Sequence, residues 1–265
     1  MSLYISIVSH DHTEDIIHNL QPHRLQGEQV HVTILANKAD SELQNYCQQQ
    51  RLNYLQNETP LGFGANHNKV FRYCRDELGL RDRDWFLVLN PDVLVSPQTI
   101  DDLSLHLKDY YPRLAAANLF KDREFNILEN SVRRFPYLWD FFGSLVFRST
   151  RTTIKRQDIK TPCHVDWASG AFLVFEAKLY AELGGFNERY YLYCEDVDIC
   201  WRARHLLGVR TLYLPQIRAV HAGRRDSHKS LNQHMLWHVQ SALRFSWIRL
   251  KTRLLGAKTL WRKRL

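Results

Sequence analysis

The first 55 residues constrain the fold more than any other part of the chain, because short β-branched runs alternate there with segments of helical spacing. Tyr4 to Ser9 reads as a strand ending in Ser9-His10-Asp11-His12, and Asp15 to Leu20 follows with helical spacing. His31 to Leu35 reads as a second strand, Ser41 as the N-cap of a helix running to Gln50, and Asn53 to Leu55 as a third, short strand. That order predicts a parallel sheet with helices on its faces. Further on, Phe86-Leu87-Val88-Leu89 stops abruptly at Asn90-Pro91-Asp92, the pattern of a buried strand delivering polar side chains at its carboxyl end. Open α/β sheets bind their ligands at that end.

A second stretch carries the complementary chemistry. Tyr190, Tyr191 and Tyr193 precede Glu195, Asp196 and Asp198, three acids within four positions at the start of an amphipathic segment. Burying an unpaired carboxylate is costly, so these acids mark an active site, or else a solvated helix start favoured by the helix dipole. Asp198 stands four residues before Arg202 and is expected to pair with it.

Between and around these stretches, Gly62 and Gly64 lie just ahead of a helix expected over Lys69 to Leu78. Glycines there let backbone approach a ligand at a helix amino end, although a turn with an N-cap explains them equally. Pro97 to Tyr110 is expected to be a helix, Leu114 to Leu119 a strand and Glu129 to Trp139 irregular. Residues 147 to 160 read as a loop, either a lid or idle. Strand character returns from Val165 to Phe175, with small residues at 168 to 171 exposing backbone to a ligand. A helical turn from Leu179 to Leu183 stops at Gly184-Gly185, and a strand at Arg218 to Val220 ends beside His221.

The formal charge of +8 suggests a nucleic-acid partner until it is located. Nine Lys or Arg and no acid fall between Ser227 and Leu265, which leaves the first 226 residues close to neutral. Two units follow: a domain over 1–226 and a basic, aromatic-rich amphipathic helical segment over 227–265, either suited to an anionic membrane surface or an ordinary helix packed on the domain with a solvated basic face. No nucleic-acid module accompanies the charge. Five cysteines without Cys-x-x-Cys spacing favour neither a disulfide framework nor a zinc site, and point to a reducing cytosol. Neither a signal-peptide pattern nor a run of about 18 apolar residues is seen, so a secreted or membrane-spanning chain is not expected.

Taken in register, Gly62-Phe63-Gly64-Ala65-Asn66-His67-Asn68, Leu89-Asn90-Pro91-Asp92, Asp166-Trp167-Ala168-Ser169-Gly170-Ala171, Gly184-Gly185-Phe186-Asn187-Glu188, Tyr193-Cys194-Glu195-Asp196-Val197-Asp198 and His221 resemble one family. It is the inverting family 2 glycosyltransferases of the GT-A fold, and within it the rhamnosyltransferases of bacterial O-antigen (lipopolysaccharide) biosynthesis. The resemblance covers about residues 3 to 225. It implies an α/β, Rossmann-like, mostly parallel sheet flanked by helices. It implies Asp92 and His221 as ligands of Mg²⁺ or Mn²⁺ on the donor diphosphate, with Asp196 as general base and Glu195 as second choice or orienting partner.

Donor contacts are implied for Ser9, Asn37, Gly62, Phe63, Gly64, Asn66, Asn68, Asn90 and Asp92, and acceptor contacts for Trp167, Ser169, Gly170, Ala171, Tyr193 and Glu195. Tyr190, Tyr191, Tyr193 and Trp201 either stack on sugars or belong to the core. Arg133-Arg134-Phe135-Pro136 is similar to the rhamnosyltransferase subgroup, and either meets phosphates or is plain surface. The implied donor is dTDP-β-L-rhamnose and the implied acceptor a sugar, GlcNAc, on undecaprenyl diphosphate, met peripherally at the cytoplasmic face of the inner membrane. Ala36 stands where the family has an acid that reads the pyrimidine, so Asn37 or Asp40 substitutes or the donor is a UDP-hexose. A non-catalytic protein that binds lipid or nucleic acid is the alternative of a different class.

Overall fold

The computed structural model describes residues 1–141, 151–221 and 231–255. Its strands are β1 (Leu3–Ser9), β2 (Val30–Ala36), β3 (Asn53–Gln56), β4 (Trp85–Leu89), β5 (Val93–Leu94), β6 (Leu114–Phe120), β7 (Val132–Arg133), β8 (Cys163–Val165), β9 (Trp167–Ala168), β10 (Phe172–Glu176) and β11 (Thr211–His221). Its helices are α1 (Ser41–Gln49), α2 (Phe63–Asp76), α3 (Pro97–Tyr110), α4 (Ala177–Glu182), α5 (Glu195–Leu207) and α6 (Leu231–Leu255). The main sheet runs β3-β2-β1-β4-β10-β6-β11-β5, with β8 added on β11, while β7 and β9 pair separately.

The amino-terminal half is parallel as expected, β1 pairing with both β2 and β4 and β2 with β3. β10 then enters antiparallel between β4 and β6, which makes the sheet mixed but mostly parallel. Alternation along the strands feeds a core on each face. Tyr4, Phe86 and Val88 join the ring-rich core with Phe71, Phe175, Tyr180 and Phe186. Leu3, Ile5, Leu87 and Leu89 join an aliphatic core with Ile34, Ile100 and Leu103.

Several boundaries differ from the sequence reading. The N-cap of α1 is Asp40, whose carboxylate accepts from Leu43 N at 2.9 Å; Ser41 is the first helical residue. Asp15–Leu20 forms a π-helical turn. α2 begins at Phe63 rather than Lys69, so the Gly62–Asn68 motif lies mostly inside the helix. Residues 147–150 of the expected 147–160 loop fall outside the described residues.

The carboxyl-terminal helix packs on the domain, one of its two expected placements. α6 packs on the domain through Ser241, Ala242, Phe245 and Thr252, and Phe245 meets Trp201 and Phe141. The opposite side of α6 is also apolar, so the helix is not the two-sided amphipathic one expected. Residues 222–230 and 256–265 lie outside the described residues. No described helix is long and apolar enough to cross a membrane.

Candidate active site

Two cavities open at one end of the sheet. The larger, about 950 Å³, lies at the carboxyl ends of β1, β2 and β4 and is lined by Val8, His10, Asn37, Phe63, Asn66, His67, Asn90, Asp92, Tyr191 and His221, with Trp237 of α6. The smaller, about 270 Å³, is lined by Glu129, Arg133, Trp167, Ser169, Tyr193, Glu195 and Asp196, with His238 of α6. Gly170 lies between a lining residue of each: an added Cβ there would be 3.2 Å from the Phe63 ring and 3.6 Å from Asp196 Cβ.

Sheet register builds the first constellation. β5 pairs antiparallel with the end of β11, setting His221 opposite Val93. Asp92 therefore lies beside His221, with Oδ1 3.3 Å from Nε2. On its other side, Nδ1 is 3.0 Å from Glu129 Oε2. Burial disfavours the imidazolium, but hydrogen bonding and charge from Asp92 and Glu129 outweigh it and hold the pKa up at about 10.

The Asp92 carboxylate and, once its proton is released, the His221 imidazole nitrogen facing it form a donor set that could hold a divalent ion such as Mn²⁺ or Mg²⁺. Among the described residues, no cluster of three or more His, Cys, Asp or Glu could hold an ion alone. Mg²⁺ is usually bound by one or two carboxylates, with substrate phosphate oxygens and water completing its coordination.

The second constellation sits at the start of α5. Tyr193 and Cys194 both have left-handed backbone (φ 73° and 65°), a conformation costing an L-residue roughly 1–2 kcal/mol. The turn is held from outside. Phe63 N donates to Tyr191 O (3.0 Å), Ser241 Oγ to Leu192 O (3.0 Å), and Arg244 to Arg189 O; Tyr193 Oη lies 3.2 Å from His234 Nδ1.

Two adjacent acids emerge from this turn into different surroundings. Asp196 Oδ1 accepts from Val197 N (2.8 Å) and Oδ2 from Gly170 N (3.2 Å). Burial raises its pKa, while these donors and the charge of Arg133 oppose the rise. Glu195 is buried, and its Oε2 has no hydrogen-bond partner among the described residues. Burial, then the charge of Asp196, pushes its carboxyl up to about 8. These surroundings favour the neutral form of Glu195, while the backbone donors and Arg133 favour the charged form of Asp196, which suits Asp196 to accept a proton.

The expected residues sort into three groups. Asn37, Phe63, Asn66, Asn90, Asp92 and His221 line the larger cavity, and Trp167, Ser169, Tyr193, Glu195 and Asp196 line the smaller. Ser9, Gly62, Gly64, Asn68, Gly170 and Ala171 line neither and act from behind the walls. Ser9 Oγ accepts from His12 N. At Gly62 a Cβ would meet Tyr191 O at 2.6 Å, and at Gly64 it would meet Phe186 Cβ at 2.5 Å. Asn68 is used up inside: its Nδ2 donates to Phe186 O (2.9 Å) and Glu188 Oε1 (3.0 Å), and its Oδ1 accepts from Tyr180 Oη and Phe186 N. Ala171 leads into the buried β10, its N donating to Ser169 Oγ at 3.3 Å.

Asn37 faces the cavity, but its amide is committed. Nδ2 donates to Leu61 O (2.9 Å) and His10 Nδ1 (3.0 Å), and Oδ1 accepts from Leu61 N (2.8 Å) and Asn57 Nδ2 (2.9 Å). Asp40 caps α1 and accepts from Thr13, so it is occupied as well. Of the four aromatic candidates, Tyr190 and Trp201 are core, whereas Tyr191 and Tyr193 line cavities. Arg133 reaches the smaller cavity because β7 pairs with β9, setting it opposite Trp167, with its guanidinium 5.8 Å from that ring. Glu129, His10, Trp237 and His238 were not singled out from sequence. None stands in a patterned motif, and each comes to the site through tertiary packing.

The profile described as "Glycosyltransferase like family 2" matches residues 16–239. Rhamnosyltransferase WbbL of Escherichia coli (strain K12) is 32% identical over 247 residues, covering 92% of each chain. N-acetylglucosaminyl-diphospho-decaprenol L-rhamnosyltransferase of Mycobacterium tuberculosis (strain CDC 1551 / Oshkosh) is 29% identical over 197 residues, covering 70% of this chain and 63% of that one. Among solved structures, the mannosyltransferase PcManGT from Pyrobaculum calidifontis, in complex with GDP-Man and Mn²⁺, superposes with a TM-score of 0.58 at 16% identity over 91% of this chain and 64% of its own. The sheet, the paired cavities and these matches agree: the chain is an enzyme of glycosyltransferase family 2 with the GT-A fold.

Proposed function

We propose that the protein transfers L-rhamnose from dTDP-β-L-rhamnose to GlcNAc carried on undecaprenyl diphosphate, with inversion, as a step of O-antigen assembly at the cytoplasmic face of the inner membrane. Two relatives support the sugar by their names, and the mycobacterial one supports the acceptor class. The donor occupies the larger cavity and the acceptor sugar the smaller. Asp92 and His221 would hold a divalent ion, which when bound supplies Lewis-acid stabilisation to the departing diphosphate.

Asp196 takes the proton of the acceptor hydroxyl, the hydroxyl oxygen bonds to the anomeric carbon from the opposite face, and the carbon–phosphate-oxygen bond breaks with its electron pair leaving on the nucleoside diphosphate. No covalent sugar–enzyme intermediate forms. Protonated Glu195 stays neutral beside the base and so does not compete for that proton. The observation that carries this reading is the unlike treatment of the two neighbouring acids, one held by two backbone N–H groups and the other buried with its Oε2 unpartnered among the described residues.

The test offers a panel of nucleotide sugars, including dTDP-rhamnose and UDP-hexoses, to a synthetic GlcNAc-diphosphate-lipid with Mg²⁺ or Mn²⁺, with products followed by mass. A single rhamnose addition is expected. Transfer from a UDP-hexose instead would replace the donor, and no transfer from any sugar would replace the acceptor.

A further inference from the structure

α6 carries two apolar faces, and the domain covers only one. The buried side, Ser241, Ala242, Phe245 and Thr252, faces the core. On the opposite side Leu236, Leu243, Trp247, Leu250 and Leu254 fall within an arc of about 60° at 3.6 residues per turn. All five are exposed, Trp247 at 57% and Leu254 at 72%. A contiguous row of large apolar side chains in water along one helix is unfavourable unless something covers it.

The charge around the stripe indicates what covers it. Lys251 and Arg253 flank it, with the Lys251 ammonium 5.0 Å from the Trp247 ring, and no acid occurs between Ser227 and Leu265. A second copy laid stripe to stripe would bring these cations together with no carboxylate on either helix to offset them. An anionic lipid surface instead offers acyl chains to the leucines, an interface to the tryptophan and phosphate to the cations.

Position gives the contact a use. The inner side of the same helix lines both cavities, through His234 and Trp237 in the larger and His238 in the smaller. We infer that the Leu236–Leu254 stripe of α6 lies in the headgroup region of an anionic membrane, holding the acceptor cavity at the depth where the diphosphate of a lipid-linked sugar emerges. This inference rests on the lipid-linked acceptor proposed above, and it adds the surface that meets the lipid.

The full chain is tested by flotation with vesicles of phosphatidylcholine alone or mixed with phosphatidylglycerol. Wild-type protein is expected to float with the anionic vesicles and more weakly with the neutral ones. Leu243→Gln/Trp247→Gln/Leu250→Gln should bind at least about tenfold more weakly, given the apolar area removed. The same variant should keep transfer to a short-chain, water-soluble acceptor, so loss of membrane contact is distinguished from failure of the proposed reaction.

Quenching of tryptophan emission by lipids brominated in the acyl chain gives a second readout should the triple variant misfold. Quenching that diminishes in Trp247→Phe supports the contact. The inference is overturned if the wild-type chain ignores anionic vesicles, if Trp247→Phe leaves quenching unchanged, or if sedimentation shows a dimer that the triple variant converts to monomer while vesicle binding persists.

Discussion

Glu195 and Asp196 are neighbours of the same chemical type, and only their surroundings separate them. Asp196→Asn keeps the shape but can accept only one of the two backbone N–H groups and cannot take a proton, so turnover should fall about 10²–10⁴-fold with nucleoside diphosphate binding by calorimetry unchanged. Glu195 makes a different prediction. Its folded pKa is raised from 4.5 to about 8, so the unfolded chain loses this proton first as pH rises. Its favourable contribution is therefore complete below about 4.5 and is lost as pH climbs towards 8. Glu195→Gln should remove that decline, and urea unfolding at pH 8 and above should find the variant more stable than the parent. At this scale the sequence was legible where spacing encodes a contact: Asp198 lies 2.7 Å from Arg202 Nε, as four-residue spacing on a helix demands. It was illegible for Asn37 and Asn68, because whether an amide faces a ligand or is spent on neighbours depends on what tertiary folding brings to it.

The elements around the site are locked by a few buried polar groups. Arg202, 2% exposed, reaches beyond Asp198 to donate to Leu183 O (2.7 Å) and Gly185 O (2.8 Å), tying α5 to the turn after α4. Arg202→Ala leaves the Asp198 charge buried without this partner and should cost about 3–5 kcal/mol in urea unfolding. A loss below about 1 kcal/mol would mean water replaces the guanidinium. Local chemistry located α3 well, since Ser96 accepts from Thr99 N and Pro97 opens the helix. It missed the start of α2, whose first turns hold glycine and asparagine, residues with poor helix propensity. Burial of Gly64, Asn66, His67 and Asn68 overrides propensity there. Burial also keeps His67 neutral, its pKa pushed down to about 3 while Nδ1 lies 2.7 Å from Ser6 Oγ.

Across the whole molecule, the larger cavity joins strand ends that are distant in sequence, with Asp92 from the loop after β4 and His221 from the end of β11. Parallel pairing in the first half could be read from strand–helix alternation, but the insertion of β10 between β4 and β6 could not, because no local signal encodes strand order. The shared Asp92–His221 position predicts that nucleoside diphosphate binding, measured by calorimetry, weakens on chelation and recovers with Mg²⁺ or Mn²⁺. Asp92→Asn should lose that metal response while its thermal unfolding stays cooperative. The site is completed in order along the chain. Its parts arrive from the ribosome in the order Asn37, Asp92, Glu129, Asp196, His221 and then residues 233–238, which fold back over both cavities. A nascent chain interrupted after β11 would hold both acids and the Asp92–His221 pair yet lack one wall of each cavity, so competence to react is acquired late in synthesis rather than gradually.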